Sequence, residues 1–169
     1  NYGANLGFQW LGIDFSIFFQ GIGKMDWYPQ TNTLLFWGPY ARPYATLIPK
    51  DFHTMIWSED NKDAYYPRPR GYAALGSNRE LTVNNDRYLQ NIAYCRLKNL
   101  TISYDLPQNI IKKAGLSQVR VFVSGENLFT ITNLKGMFDP EVIFARNSYN
   151  AEGGKQYPIN RVYSIGLSV

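Results

Sequence analysis

The sequence has 169 residues, of which 45% are hydrophobic and 16% aromatic, with 13 Tyr, 10 Phe and 4 Trp. Charged residues make up only 18%, below the roughly 25% of an ordinary soluble domain, and the net charge of +4 is mild, scattered and free of any nucleic-acid motif. The single cysteine, Cys95, excludes an internal disulfide and any cysteine-based metal site, and within a strand pattern it reads as a small buried hydrophobe.

The chain opens on alternation. Ala4, Leu6, Phe8 and Trp10 share one face while Asn5, Gly7 and Gln9 share the other, the period-two mark of a strand. Leu11-Gly12 reads as a tight turn. Ile13, Phe15, Ile17 and Phe19 then alternate with Asp14, Ser16, Phe18 and Gln20, which predicts a hairpin. The pattern starts in mid-run at Asn1, so the chain is expected to be a portion of a longer polypeptide. No apolar run approaches the roughly 18 residues of a membrane-spanning helix.

From Gly21 to about Asn91 the character changes. Pro29, Pro39, Pro43, Pro49, Pro67 and Pro69 interrupt any ladder. Aromatic residues crowd the same stretch, among them Phe36 and Tyr44. Asp51 is placed to cap a helical turn running to Trp57. A connection of this length usually signals function. Flat rings with polar rims suit sugars, peptides or a protein partner. The candidate binding residues are therefore Trp27, Tyr28, Trp37, Tyr40, Trp57, Tyr65 and Tyr66. The competing reading is that these rings pack on one another and stiffen the connection.

A long hairpin follows. Leu100, Ile102, Tyr104 and Leu106 alternate with Asn99, Thr101, Ser103 and Asp105 over Leu97–Leu106, and Pro107 closes that strand. A short helical piece, Gln108–Ala114, ends at Gly115. Val119, Val121, Val123, Phe129 and Ile131 mark a strand over Val119–Ile131. A second long connection, Asn133–Pro158, carries FDPE and AEGGKQ, and Ile159–Val169 alternates as a last strand. The sum is an all-β, antiparallel chain with long loops. An outer-membrane barrel with aromatic girdles would produce this composition, and so would a soluble carbohydrate-binding β-sandwich.

The phrases YCRLKNLTISYDLP, KKAGLSQVRVFVSGENLFTITNLKGMFDPE and the closing YPINRVYSIGLSV, in that order, resemble the C-terminal barrel strands of the SusC/RagA family. SEDNKDAYYPR is similar to a loop phrase of the same family. These are TonB-dependent transporters of the cell outer membrane that import glycans or peptides with a surface lipoprotein. The resemblance implies that residues 1–169 form about five C-terminal strands of a barrel of about 22, without the plug. It further implies a SusD-like lipoprotein partner, TonB engaged through an N-terminal region absent here, and an oligosaccharide or peptide substrate. It implies contact with outer-membrane lipid, and no cofactor, metal, nucleic acid or catalysis. One departure is the ending, since family barrels typically close on an aromatic residue and this chain closes on Val169. In such a barrel Leu6, Phe8, Phe15, Ile17, Ile102, Tyr104, Val121, Ile165 and Leu167 would face lipid. Gln9, Ser16, Thr101, Ser124 and Ser164 would face the interior. With a periplasmic C-terminus, Gly21–Asn91 and Asn133–Pro158 both fall outside the cell.

Asp14 opens one strand, Asp105 closes the next, and Arg120 opens the one after, all on the polar face. Antiparallel neighbours bring such residues within reach. Arg120 is therefore expected to bridge to Asp105 with Asp14 nearby, the cluster facing the barrel interior. Other groups carry less. His53 has no acid or nucleophile beside it for a catalytic triad. Asp139 with Glu141, or Glu59, Asp60 and Asp63, offer carboxylates of glycosidase type, but a turn and a solvated loop account for them. Asn99-Leu100-Thr101 fits a glycosylation sequon and lies inside a strand.

Overall fold

The computed structural model describes residues 1–41, 48–70, 74–76, 79–134, 138–143 and 156–169. Pro43 and Tyr44, and residues 151–155 of the AEGGKQ stretch, lie outside the described residues. The strands are β1 Tyr2–Trp10, β2 Ile13–Ile22, β3 Asp26–Trp27, β4 Gln90–Asn91, β5 Tyr94–Asp105, β6 Arg120–Thr132 and β7 Val162–Ser168, with single helical turns α1 Leu34–Trp37 and α2 Gln108–Ile111. They fall into two compact units, one of Asn1–Met25, Ile92–Asn133 and Ile159–Val169, the other of Asp26–Asn91 and Leu134–Pro158.

The first unit is a 5-stranded sheet in the order β1-β2-β5-β6-β7, every neighbour antiparallel. Leu11 and Gly12 join β1 to β2 at φ 49° and 84°, the doubly positive turn that matches strand twist. The Asp105 amide donates to the Gly12 carbonyl at 2.8 Å, tying β5 to that turn. Pro107 precedes α2, a 3-10 turn over Lys112–Ala114 continues it, and Gly115 ends it at φ 69°. The helical reading of Gln108–Ala114 therefore holds.

Register carries one face across the whole sheet. Phe8 pairs Phe15, Phe15 pairs Ile102, Ile102 pairs Val123, and Val123 pairs Ile165. Trp10, Ile13, Tyr104, Val121 and Leu167 make the next row. A bulge at Lys98 restores the pattern where β5 would lose it, since Phe19 pairs Leu97 while Phe18 pairs Asn99. The extra residue sets Leu97 on the same side as Leu100. Phe19 and Phe129, both paired with Leu97, meet edge to face at 6.3 Å and leave Leu97 only 4% exposed. Most of this apolar face is open, with Leu6 60% and Ile165 79% exposed. The last strand starts later than its alternation suggests, because Ile159–Arg161 form no ladder.

The second unit holds the aromatic core. Trp27, Phe36, Trp37, Tyr40, Phe52, Tyr66, Tyr88 and Phe138 are all buried. Its regular structure is small: β3 pairs β4, and a 3-10 turn covers Phe52–Met55. Asp51 makes no side-chain cap there, and the turn stops two residues short of Trp57. The backbone of this stretch instead hangs on side-chain donors such as Trp37, Tyr66 and Arg87.

Candidate functional site

The polar face of the five-stranded sheet repeats the register of the apolar one. Gly7, Ser16, Thr101, Ser124 and Ser164 form a row of small residues across it. The adjacent row is Gln9, Asp14, Ser103, Phe122 and Gly166. Beyond that, Asp105 pairs Arg120, and Arg120 pairs Ser168.

The structure brings Asp14, Asp105 and Arg120 together. Arg120 donates from Nε to Asp105 Oδ1 and from Nη2 to Asp105 Oδ2, both at 2.7 Å. This is the fork-to-carboxylate geometry that makes arginine unlike lysine. Arg120 Nη1 stands 3.9 Å from Asp14 Oδ2, an ion pair without a hydrogen bond. Gln118 Nε2 donates to Asp105 Oδ1 at 3.4 Å, and Gln9 Nε2 to Asp14 Oδ2 at 3.3 Å. The three charged side chains remain 31–36% exposed, so a polar solute can reach them. Asp14, Ser16, Thr101, Ser103, Arg120 and Phe122 line a cleft of ≈ 230 Å³ beside the cluster. Phe122 is the large apolar residue in that lining, and its ring lies across β7: a Cβ on Gly166 would sit 2.2 Å from Phe122 Cζ. Donors, acceptors and one ring around a shallow cleft can hold a polar chain.

Arg96 marks the other end of the polar face, and the sequence reading missed it. Composition gives only scattered charge, yet Arg96 is only 3% exposed. It sits opposite Gln20 and Thr130, donates from Nε to Thr130 Oγ1 at 2.8 Å, and has its guanidinium carbon 5.9 Å from the centre of the Tyr94 ring. The bulge at Lys98 fixes which way Arg96 points, and alternation alone does not reveal a bulge. Cys95 is half-buried rather than buried.

Of the candidate binding aromatics, Trp27, Trp37, Tyr40 and Tyr66 are spent on the core of the second unit. Trp37 is fully buried, with Nε1 donating to the Pro29 carbonyl at 3.1 Å and the Gln30 carbonyl at 3.0 Å. Tyr66 stacks on Phe52 at 4.9 Å and donates its hydroxyl to the Phe36 carbonyl at 2.6 Å. The Tyr40 hydroxyl donates to the Pro67 carbonyl. Burial drives the Tyr40 and Tyr66 phenols far above their ordinary range. Trp27 meets Phe138 edge to face at 5.5 Å, so the second long connection contributes to the core of the first. Rings packed this way cannot also offer their faces to a ligand.

Tyr28, Trp57 and Tyr65 are half-buried and keep surface available. Tyr28 accepts from Asn85 Nδ2 at 3.3 Å and Tyr65 from Gln90 Nε2 at 3.0 Å. Arg87 donates to the Tyr65 and Ala64 carbonyls at 2.9 and 2.6 Å, which fixes that strip of backbone. The guanidinium of Arg68 lies 4.5 Å from the centre of the Trp57 ring and pairs with Glu59 at 3.5 Å.

The minor candidates resolve as local structure. His53 is exposed, its Nδ1 3.1 Å from the Lys50 carbonyl. The Glu141 amide donates to Asp139 Oδ1 at 2.9 Å, an Asp-initiated turn. No group of three or more metal-ligating side chains occurs among the described residues.

No family model matches the chain. It is 36% identical over 120 residues, 67% of its length, to TonB-dependent receptor P3 of Formosa agariphila. It is 26% identical over 164 residues, 93% of its length, to TonB-dependent receptor P26 of the same organism. The chain spans only 11% and 15% of those two relatives. Among solved structures it superposes on the RagAB peptide transporter with a TM-score of 0.66 at 28% identity, covering 98% of this chain and 16% of that one. The open-open state of the RagAB peptide importer gives 0.64 at 29% identity over the same shares.

Proposed function

Because the chain belongs to the TonB-dependent receptors of the outer membrane, as an antiparallel segment of their β-barrel, we propose that it forms the C-terminal portion of a transporter that imports peptides or glycans with a SusD-like surface lipoprotein. The observation that carries this reading is the sidedness of the five strands. One face is apolar and open from β1 to β7, and the other is mostly small, polar and charged in the same register, with Phe18 and Phe122 as its large apolar residues. A soluble β-sandwich would bury its apolar face under a second sheet. Among the described residues the only other sheet is the two-stranded β3-β4 pair, so the sandwich reading is set aside. Strand β1 has 9 residues and β2 has 10, enough to cross a bilayer at the usual tilt, which takes about 9–11. Tyr2 stands at one end of the apolar face and Trp10 with Tyr104 at the other, where interface aromatics belong.

In this arrangement β7 descends toward the periplasm. The connections β2-to-β5 and β6-to-β7 leave the same end of the sheet and are external, and Leu11-Gly12 and α2 are periplasmic. The Asp14–Arg120–Asp105 cluster then lies inside the barrel near its periplasmic rim, facing the plug. Tyr28, Trp57 and Tyr65 are the loop aromatics left for ligand or lipoprotein. Of the two substrate classes, the likeness to a peptide importer favours peptides.

The test is growth of a host lacking the full receptor on defined oligopeptides or on oligosaccharides as sole nutrient, with and without the restored gene. Restored growth on oligopeptides that disappears with Trp57→Ala and Tyr65→Ala together, at unchanged surface abundance, supports the reading. Growth independent of the receptor on both substrate classes would refute it.

A further inference from the structure

On the polar face Asp14 pairs Ser103 and Ser103 pairs Phe122, so a carboxylate, a hydroxyl and a ring stand side by side on three adjacent strands. All three line the cleft of ≈ 230 Å³ that Ser16, Thr101 and Arg120 complete. Two of these groups are under-used. Ser103 is only 5% exposed and lines the cleft, and its hydroxyl has no hydrogen-bond partner among the described residues. A hydroxyl buried without a partner carries a desolvation cost that a ligand donor would remove. Asp14 accepts one long hydrogen bond, from Gln9 at 3.3 Å, and stands 3.9 Å from Arg120, both through Oδ2. Its Oδ1 accepts nothing among the described residues. Arg120 is committed to Asp105 by two bonds at 2.7 Å. Two carboxylates thus share one guanidinium, and one negative charge is left over at Asp14.

We infer that this cleft is a subsite for the side chain of a lysine in an imported peptide. The inference rests on the peptide-transport reading and deepens it, by naming the residue type that the barrel wall prefers. An ammonium group brings three donors and one positive charge. Asp14 Oδ1 and the hydroxyls of Ser103 and Thr101 offer three acceptors, and the charge balances the one left over. Phe122, whose ring lies across Gly166, is the apolar wall of the cleft and receives the stem, since long cationic side chains bury their methylenes along apolar surface. A carboxylate would be repelled by Asp14, and an apolar side chain would leave the Ser103 hydroxyl unpaired. The cleft is shallow, with its charged side chains 31–36% exposed, which suits a cargo that must be released again.

The experiment uses cells that carry the full receptor and no other peptide importer of the outer membrane. Two isotopically distinct oligopeptides compete for uptake in one vessel at low concentration. They are identical except that a central lysine in one is norleucine in the other, which keeps the stem and removes the ammonium. The lysine peptide should enter about fivefold faster, the worth of one half-exposed charge-assisted contact. Asp14→Asn, compared at equal surface abundance, should bring that ratio to about one. If this variant does not reach the surface, Ser103→Ala removes one acceptor and should lower the ratio about twofold. A ratio of one in the unaltered receptor overturns the subsite and leaves peptide transport standing. A ratio indifferent to the substitution overturns it too. So does a parallel fall of both peptides at constant ratio, which would mean that the receptor's own chain fills the cleft. Uptake of neither peptide by the unaltered receptor would refute the transport reading and the subsite with it.

Discussion

Lysine placed on alternate residues of one strand pair tests the sidedness directly, and the register sets the expected sizes. Ile17 pairs Leu6 and Leu100, and this row lies midway between the Tyr2 and Trp10 ends of β1. Ile17→Lys should therefore carry the mid-membrane penalty of about 2–4 kcal/mol. Ile102 lies one row nearer the Trp10–Tyr104 end, two residues along the strand. At about 3.4 Å per residue and a tilt near 40°, that is about 5 Å of depth in an apolar band roughly 25 Å tall. Ile102→Lys should then cost about 1–2.5 kcal/mol. Thr101 is adjacent in sequence but lies on the polar face beside Asp14 and Arg120, and Thr101→Lys should cost under about 1 kcal/mol. The assay is urea-induced unfolding of the full receptor in vesicles, supported by surface abundance in cells. Equal losses at Thr101 and Ile17, or a larger loss at Ile102 than at Ile17, would refute the assignment of faces and depth.

Three further outcomes follow from specific contacts. A double-mutant cycle between Arg120→Ala and Asp105→Ala should give a favourable coupling beyond experimental error, because two charge-assisted bonds are lost together; Arg120→Lys should recover only part of it, and zero coupling would reduce the cluster to hydrated charges. Gly166→Val drives a side chain into the Phe122 ring and should destabilise by about 1–3 kcal/mol through β6–β7 pairing, with Phe122→Ala in the same chain restoring most of the loss. The Tyr40 and Tyr66 phenols are held protonated by burial, so their contribution is complete below the ordinary phenol value of 10.0 and is lost as the pH rises above it; tyrosinate absorbance should show a fraction that appears only with loop unfolding, and one smooth titration of every tyrosine near that value would contradict the packed core.

The sheet was legible because its physics is local. Alternation in Leu6, Phe8 and Trp10, and again in Ile102 and Tyr104, reports which side each residue takes, and Leu11-Gly12 and Pro107 punctuate the strands. Pairing of Asp105 with Arg120 followed from the same alternation plus antiparallel geometry. What escaped was whatever depends on a break in period or on distant packing. The Lys98 bulge turns Arg96 into a buried residue, and no composition rule announces a bulge. The aromatic stretch was ambiguous for a deeper reason: a ring that binds a partner and a ring that builds a core are the same residue in sequence. Only long-range neighbours separate them, such as Phe138 against Trp27 across more than a hundred positions of chain. The outcome divides the candidates by burial. Trp37 and Tyr66 make the second unit a packed body, with Tyr65 edge to face on Tyr66 at 4.8 Å, and Tyr28, Trp57 and Tyr65 keep part of their surface exposed. A rigid display loses less conformational entropy on binding than a floppy loop would. On the proposed reading, core and contact residues are two parts of one device. Trp37→Ala should weaken partner binding as surely as Trp57→Ala, but through loss of the loop's structure, and a protease-sensitivity assay on the loops separates the two. Trp57→Ala should leave cleavage rates unchanged, whereas Trp37→Ala should raise them. Equal resistance of both variants would remove the packed-core role assigned to Trp37.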